Sequence, residues 1–316
     1  MKEELLVTIC CTTYNHEKYV EDALIGFLNQ EVNFKYEILI HDDASPDKTQ
    51  EVIKKYEKKY PGVFRPIYQK DNQQSQGERP LMNILRMAKG KYIAVCEGDD
   101  YWISPDKLQK QFDFMEKHPD YSYCCHAARK VSEDKKFISD IQAFKESTTF
   151  DLKKYFNKKD SIPTASLFLR KEDLFEELPD FHLNAPVGDI PLALYYLTKG
   201  KGYYFSDVMS CYRYMSTGSW SATEFKNLEK VRIHNEKMEK MYTLYNEYTN
   251  GMYYDLIEME RTKRVLKLAK NKSDIKDIKE NYSVGYKKIP LNLRLKTNFK
   301  INFPFINKII NKARGL

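Results

Sequence analysis

The sequence lacks several features that mark particular classes of protein. It has no run of about 18 apolar residues, which excludes a conventional membrane-spanning helix. Residues 1–4 contain no apolar stretch of the kind found in signal peptides and lead directly into a predicted strand. The six cysteines show no C-x-x-C spacing and lie in or beside apolar runs. We therefore expect a cytoplasmic protein with reduced, buried thiols and neither disulfides nor a zinc site.

Acidic residues are missing from the end of the chain. The protein has a formal net charge of +7, but residues 284–316 contain eight basic residues and no Asp or Glu. Residues 1–283 are therefore close to neutral, so we expect no nucleic-acid partner. In the tail, basic and apolar residues alternate, which is typical of segments attracted to an anionic membrane surface. Docking of the tail on the body, or pairing in a homodimer, is the alternative.

Apolar runs alternate with helical spacing along the first half of the chain. Continuous apolar runs at 5–11 and 36–40 predict buried strands, and the spacing of 19–28 predicts a helix between them. This alternation favours an α/β fold with a mostly parallel nucleotide-binding sheet flanked by helices. In a chain of 316 residues we place a catalytic domain at 1–222, a helical extension at 223–283 and a basic amphipathic tail at 284–316.

The remaining segments have weaker local patterns. Ser45 followed by Pro46 predicts the start of a helix. The polar stretch 130–149 indicates an irregular surface excursion near an acceptor, and 161–170 indicates a strand. Further along the chain we predict short strands at 203–205 and 209–214, and two helices within 224–270 that are divided at 250–251.

Two predicted strands end in acidic residues. The apolar run 92–96 stops at Glu97-Gly98-Asp99-Asp100, and the strand at 36–40 is followed by Asp42-Asp43. The carboxyl ends of neighbouring parallel strands meet at one edge of a sheet, where ligands bind. Hard oxygen ligands of this kind suit Mg²⁺ or Mn²⁺ held partly by the phosphates of a substrate. Taken alone, the acidic loop also fits a simple connection to the next helix.

The order of these motifs resembles a known family. Residues 7–15, 38–49 and 88–100 are similar to the N-terminal half of the family 2 glycosyltransferases, and the resemblance covers residues 5–220. It implies an inverting enzyme with the A-type glycosyltransferase fold. Glu97-Gly98-Asp99 departs from the commoner Asp-x-Asp by having Glu first, and it resembles the subgroup that continues with Asp-Asp-Tyr-Trp.

The resemblance also implies roles for individual residues. Asp99 would bind the metal, and Asp43, with Asp42 as a second candidate, would bind the base of the nucleotide. Glu97 stands where the family's first acid usually contacts the ribose, and Gly98 lies within the same nucleotide-binding motif. The nucleotide pocket would be lined by Thr12, Tyr14 and Asn15, with Asn83 in a supporting role.

A second carboxylate is needed for chemistry. Asp189 follows Gly188 at a predicted helix start, where a lone Asp usually serves as a cap. The resemblance makes Asp189 the catalytic base, which deprotonates the acceptor hydroxyl during attack on the anomeric carbon. It also makes Arg213 a contact for the donor diphosphate. Trp220 lies in a following loop, where it either stacks on a sugar or anchors the loop to the core.

These residues together predict an enzyme that transfers a sugar from a nucleotide sugar, with a UDP-sugar as the first choice, to a saccharide acceptor. The basic tail favours a polyprenyl-linked acceptor at the inner face of the cytoplasmic membrane, as in capsule, O-antigen or exopolysaccharide synthesis. A nucleotidyltransferase is disfavoured, because the loop after the first strand, 12–15, is not a glycine-rich phosphate loop. A membrane-associated scaffold that binds nucleotide sugars would not need a base at Asp189.

Overall fold

The computed structural model describes residues 4–216, 228–269 and 271–303. The chain forms two compact units, one of Met1–His182 with Pro186–His234 and one of Leu183–Ala185 with Asn235–Leu316. The predicted domain boundary at residue 222 lies outside the described residues and stays a prediction.

One ten-stranded sheet forms the centre of the first unit. Its strand order is β3-β2-β1-β4-β9-β6-β10-β5, with β7 paired to β6 and β8 paired to β10. The neighbours from β3 to β4 are parallel, as are β6 and β10, whereas β9, β5, β7 and β8 pair antiparallel. The strands are β1 Leu5–Thr13, β2 Lys35–Asp42, β3 Phe64–Tyr68, β4 Tyr92–Val95, β5 Tyr101–Trp102, β6 Tyr121–Val131, β7 Phe137–Ile141, β8 Thr148–Phe150, β9 Phe168–Arg170 and β10 Lys201–Arg213.

Helices cover both faces of this sheet. On one face, Ile9 of β1 is fully buried in a core that also contains Phe27 and Leu108 from two helices. On the other face, Cys10 lies against the carbonyl of Ile84. The apolar runs of β1 and β4 arise because these central strands are buried on both sides. The helices up to residue 199 are α1 Val20–Leu28, α2 Thr49–Lys59, α3 Pro80–Met87, α4 Lys107–Lys117, α5 Leu152–Phe156, α6 Asp180–Leu183 and α7 Asp189–Lys199.

The predicted start of α2 was wrong. The helix begins at Thr49, because the Ser45 hydroxyl donates to Asp42 instead of capping a helix. Asp47 takes over at the helix start and accepts a hydrogen bond from the Thr49 amide at 3.0 Å.

Three other local predictions also need correction. The stretch 130–149 contains β7 and the start of β8. The strand β7 was missed because its exposed side chains show no pattern of burial. In 161–170 only β9 is a strand, and Thr164–Ser166 forms a 3₁₀ turn in which the Ser166 hydroxyl bonds the Pro163 carbonyl at 2.6 Å. The two short strands predicted within 203–214 are parts of the single strand β10, which ends at Arg213 and whose register on β6 shifts between Phe205 and Val208.

Helices make up the described part of the second unit. The predicted division at 250–251 is confirmed, with Asn250 and Gly251 at positive φ values of 50° and 73° between two helices. None of the helices in the described ranges has the length and apolar character needed to cross a membrane. The helices from residue 228 onward are α8 Leu228–Tyr248, α9 Tyr254–Leu268, α10 Lys272–Asn281, α11 Ser283–Lys288 and α12 Leu291–Asn302.

Candidate active site

The two acidic segments meet on either side of the end of β1. Strand pairing places Thr13 beside Asp42 on β2, and Cys10 beside Val95 on β4. The hydrogen-bond ladder continues past the strand ends, because the Asp43 amide donates to the Thr13 carbonyl at 2.9 Å. The Gly98 amide likewise donates to the Thr12 carbonyl at 2.9 Å. The sheet therefore brings both acidic segments to one edge, as the sequence predicted.

The loop after β1 presents polar groups at this edge. Thr12 is half-buried, whereas Tyr14 is 42% exposed and its ring is accessible to a ligand. Asn15 is held at a φ of 60°, and its amide donates to the Ser45 hydroxyl at 2.9 Å. Asn tolerates this left-handed conformation better than most residues. The backbone thus fixes this loop, while the side chains of Tyr14 and Asn15 are exposed.

Asp42 is an internal anchor of the second strand end. It is fully buried, and one of its oxygens accepts from the Ser45 amide at 3.0 Å and the Gln50 side chain at 2.7 Å. The other oxygen accepts from the hydroxyls of Thr13, at 3.1 Å, and Ser45. With about four acceptor positions on a carboxylate, Asp42 is saturated by the protein.

The Asp43 carboxylate accepts fewer hydrogen bonds from the protein than that of Asp42. It is 3% exposed, and its two oxygens accept from the backbone amides of Gln73, at 2.7 Å, and Gln74, at 3.0 Å. These contacts tie the end of β2 to the 3₁₀ turn Gln74–Gln76. Each oxygen keeps a second acceptor position. Of the two acids, Asp43 is therefore the better candidate for a ligand contact.

The side chains of the Glu97–Asp100 loop point in different directions. Asp100 is 3% exposed and accepts from the Arg213 amide at 2.8 Å. Burial, together with the charges of Asp99 and Glu97, raises the pKa of Asp100 well above the ordinary range. Asp99 is half-buried, and within the described ranges its carboxylate receives one long hydrogen bond, from the Ser216 hydroxyl at 3.4 Å. Asp99 therefore has the most acceptor capacity left for a cation.

Asp189 lies close to this loop. It is the first residue of α7, and the charge of its carboxylate acts on Glu97. Burial, with the charges of Asp99 and Asp189, raises the pKa of Glu97 to about 8, while a hydrogen bond with Thr164 opposes the rise. Burial also raises the pKa of Asp189, against the backbone hydrogen bond from Ile190. Two carboxyl groups whose proton affinity is increased thus share the site with Asp99.

The other predicted site residues lie at different places. Asn83 is exposed on α3. Arg213 is 1% exposed, forms an ion pair with Asp22 and donates to the backbone carbonyl of Asp99. The Arg213 guanidinium thus supports the acidic loop from inside, and a direct contact with a diphosphate stays a prediction. Trp220 lies outside the described residues.

Sequence reasoning missed His16. Its ring is buried against the acidic loop, and its Nδ1 has no partner in the described part of the chain. Burial lowers the pKa of His16, although the charges of Asp99, Asp47 and Asp42 oppose this. A single His in a polar loop has no local signal that would have distinguished it.

The donor set at Asp99 fits a divalent cation that is shared with a substrate. Mg²⁺ and Mn²⁺ commonly use one or two protein carboxylates and complete their coordination with water and substrate phosphates. Within residues 4–216, 228–269 and 271–303, no group of three or more His, Cys, Asp or Glu side chains could hold an ion by itself. A protein cage for a metal is therefore not a feature of the described chain.

Solved structures share this architecture. S. aureus TarS 1–349 in complex with UDP-GlcNAc matches with a TM-score of 0.56 and 16% identity, covering 90% of this chain and 91% of that one. The mannosyltransferase PcManGT from Pyrobaculum calidifontis, in complex with GDP-Man and Mn²⁺, matches with a TM-score of 0.54 and 15% identity, covering 96% and 89%. The fold class is thus the predicted A-type glycosyltransferase fold, here with a mixed sheet.

Sequence comparison identifies the family. The Glycosyl transferase family 2 model matches residues 8–178, more than half of the chain. The chain therefore belongs to glycosyl transferase family 2. An uncharacterised protein of Mycobacterium tuberculosis is 31% identical over 232 residues, which are 72% of this chain and 65% of that protein. The abequosyltransferase RfbV of Salmonella typhimurium is 30% identical over 121 residues, 38% of this chain and 35% of its own length.

Proposed function

We propose that the chain is an inverting, metal-dependent glycosyltransferase that moves a sugar from a nucleotide diphosphate donor to a saccharide hydroxyl. The observation that carries the proposal is the grouping of Asp99, Glu97 and Asp189 at one edge of the sheet. Asp99 has unused acceptor capacity, and Asp189 is half-buried with a raised pKa. Such a transfer needs two groups, a metal ligand and a general base, and a raised pKa makes a carboxylate a stronger base.

The roles of the two acids follow from the chemistry. The Asp189 carboxylate accepts the proton of the acceptor hydroxyl while that oxygen forms a bond to the anomeric carbon. The bond from the anomeric carbon to the donor phosphate oxygen breaks, and its electron pair leaves with the nucleoside diphosphate. Asp99 would hold a divalent cation, which supplies positive charge to the departing diphosphate when bound. Attack from the face opposite the leaving group inverts the anomeric configuration.

The donor is proposed to be a UDP-sugar. TarS, a structural neighbour at 16% identity, was solved with UDP-GlcNAc, whereas the neighbour PcManGT was solved with GDP-Man. Asp43, with its two remaining acceptor positions, is the proposed partner for the base. The exposed ring of Tyr14, with Thr12 and Asn15, is proposed to line the nucleotide pocket.

Nucleotide binding tests the donor site. We would titrate UDP, GDP and CDP into the full chain by calorimetry, with and without Mn²⁺, and compare the wild type with Asp99→Ala and Asp189→Asn. The expected result is UDP binding that requires Mn²⁺, is lost in Asp99→Ala and is kept in Asp189→Asn. Binding of no nucleotide by the wild type contradicts the proposal, and nucleotide binding without any sugar transfer favours the scaffold. Transfer of a nucleotidyl group to an acceptor favours the nucleotidyltransferase.

The acceptor is proposed to be a polyprenyl-linked saccharide at the inner face of the cytoplasmic membrane, and the enzyme a peripheral protein there. Helix α12 supports this location because it has an exposed apolar stripe. The stripe consists of residues spaced by four: Leu291, Leu295 and Phe299 on the helix, and Phe303 directly after it, which are 63%, 58%, 41% and 50% exposed. Lys296 and Lys300 are exposed next to it, and Thr297 is buried on the other side of the helix. Anionic lipids attract such a helix by about 1 kcal/mol per basic residue.

Vesicle binding tests this location. Full-length protein should co-sediment with phosphatidylglycerol vesicles, less with phosphatidylcholine vesicles, and less at high salt. Leu295→Glu combined with Phe299→Glu should abolish binding. Met252→Glu is the matched control, since Met252 is 74% exposed but lies outside the stripe. Equal membrane association in cells after deletion of 284–316 contradicts the proposal, and vesicle-independent dimerisation that requires the stripe favours the homodimer.

A further inference from the structure

Arg213 carries a buried positive charge next to the acidic loop. It is the last residue of β10, and its side chain is 1% exposed. The guanidinium carbon lies 4.9 Å from the centre of the Tyr19 ring and 5.0 Å from that of Tyr101. A charge removed from water in this way needs a counterion, because an unpaired buried ion is strongly destabilising.

Asp22 on α1 is that counterion. Its Oδ2 lies 2.5 Å from Nη2 of Arg213, and its side chain is 21% exposed. Oδ1 of Asp22 accepts from Lys135 at 2.6 Å, but Lys135 is 51% exposed, so that contact is largely solvated. The pairing with Arg213 is therefore the energetically important one for Asp22.

Arg213 also holds the backbone on which Asp99 is carried. Nη1 of Arg213 donates to the Asp99 carbonyl, and the Arg213 amide donates to the Asp100 carboxylate at 2.8 Å. Ser216, three residues further along, donates to the Asp99 carboxylate at 3.4 Å. Arg213 and Ser216 thus hold Asp99 and Asp100 by hydrogen bonds to the Asp99 carbonyl and to both carboxylates.

Loss of the Asp22 carboxylate would free the Arg213 guanidinium to interact with other acids. Nε of Arg213 has no partner in the described part of the chain. Without Asp22, the buried guanidinium would still lie against the loop that carries Asp99 and Asp100, because it contacts the Asp99 carbonyl. A guanidinium turned toward the Asp99 carboxylate would compete with a cation for the same oxygens.

We infer that Asp22 is a positioning residue: its ion pair with the Arg213 guanidinium holds that group away from the Asp99 carboxylate, which therefore stays available to a divalent cation. This inference rests on the proposed function, in which Asp99 binds that cation. Asp22 itself does not need to touch metal, nucleotide or sugar.

The test is the Mn²⁺ requirement of UDP binding, measured by calorimetry on the full chain at increasing Mn²⁺ concentration. In Asp22→Asn we expect the Mn²⁺ concentration for half-maximal binding to rise about tenfold or more, with UDP affinity recovering at saturating Mn²⁺. Asp120→Asn is the matched control, because Asp120 forms an exposed ion pair with Lys201 at 2.8 Å. We expect no change in its Mn²⁺ requirement.

A double variant separates competition from a general loss of structure. Asp22→Asn combined with Arg213→Met removes the competing cation and also the hydrogen bond to the Asp99 carbonyl, so its Mn²⁺ requirement should lie between those of Asp22→Asn and the wild type. This variant also carries the test if the single variant does not fold. The inference is overturned if Asp22→Asn lowers the melting temperature without changing the Mn²⁺ requirement, or if the double variant is as impaired as the single one. A wild type that binds no nucleotide at any Mn²⁺ concentration instead overturns the proposed function, and this inference with it.

Discussion

Gly98 and Thr13 are packed so closely that a Cβ atom at position 98 would lie 2.4 Å from the Thr13 methyl carbon. Thr13 has little freedom to move away, since its hydroxyl donates to Asp42 at 3.1 Å. The same Cβ would also lie 3.0 Å from Nδ1 of His16. The conformation of the acidic loop therefore requires glycine, a residue without a side chain, at position 98.

Gly98→Ala should displace this loop from the end of β1. We expect the substitution to lower the free energy of unfolding by about 1–3 kcal/mol, as overpacking does, and to abolish Mn²⁺-dependent UDP binding. Thermal denaturation and calorimetry would measure the two effects. Gly188→Ala is the control, because a Cβ there would meet nothing closer than Met82 at 3.6 Å. Unchanged UDP binding in Gly98→Ala would show that the loop tolerates the shift.

Asp189→Asn should separate binding from transfer. The amide cannot accept the acceptor proton as a carboxylate does, so the rate of sugar transfer should fall by about 10²–10⁴-fold. UDP affinity should stay within about twofold of the wild type. Single-turnover transfer and calorimetry would measure the two quantities, with Asp113→Asn, an exposed position on α4, as the control. Loss of UDP affinity in Asp189→Asn would instead place this residue in the donor site.

The pH dependence of transfer should report the environment of Asp189. Burial raises its pKa, while the Ile190 amide and the Lys158 charge oppose the rise. Because the deprotonated form is active, kcat/KM should fall as the pH falls through a value above the ordinary Asp pKa of about 3.9. In Lys158→Met this acid limb should move to higher pH. An unchanged limb in that variant would mean that another group controls it.

His182 should make the fold sensitive to acid. Its ring is buried, and neither nitrogen has a partner in the described ranges. Burial and the charges of Arg79 and Arg86 lower the pKa of His182 to about 3. The unfolded chain therefore binds a proton that the folded chain does not, and stability is lost as the pH falls below about 6.5.

His182→Met should remove this sensitivity. Between pH 7 and pH 5 the His182 contribution costs about 2 kcal/mol of unfolding free energy. The wild type should lose about that much more stability over this range than the variant, whatever their difference at pH 7. Urea denaturation at both pH values would measure the losses. Equal losses would mean that the His182 ring accepts a proton in the folded state.

The central strands were predictable from the sequence because burial on both faces requires continuous apolar runs. β1, β2 and β4 all have such runs, and the acids that the sheet brings together lie at the ends of β2 and β4, on either side of β1. β7 has no such signal, since four of its five residues are exposed. β5 spans only two residues and depends on its partner β10, which is more than a hundred residues away.

The assignment of roles within the site was less predictable. Asp42 and Asp43 are adjacent and chemically identical, and they differ only in the donors that surround them. The donors to Asp42 are Thr13, Ser45 and Gln50, whereas those to Asp43 are the backbone amides of Gln73 and Gln74. Asp22 lies on the first turn of an ordinary amphipathic helix, and its partner is 191 positions along the chain. No local sequence pattern could have predicted this ion pair.

The burial of the thiols has a practical consequence for labelling the protein. All six cysteines are buried, and burial raises the pKa of each thiol, so thiolates are scarce near neutral pH. The native cysteines of the folded chain should therefore react little with maleimide reagents. One engineered thiol, such as Leu295→Cys on α12, would carry a fluorophore at a single known position, and its emission would follow the approach of that helix to a bilayer in real time.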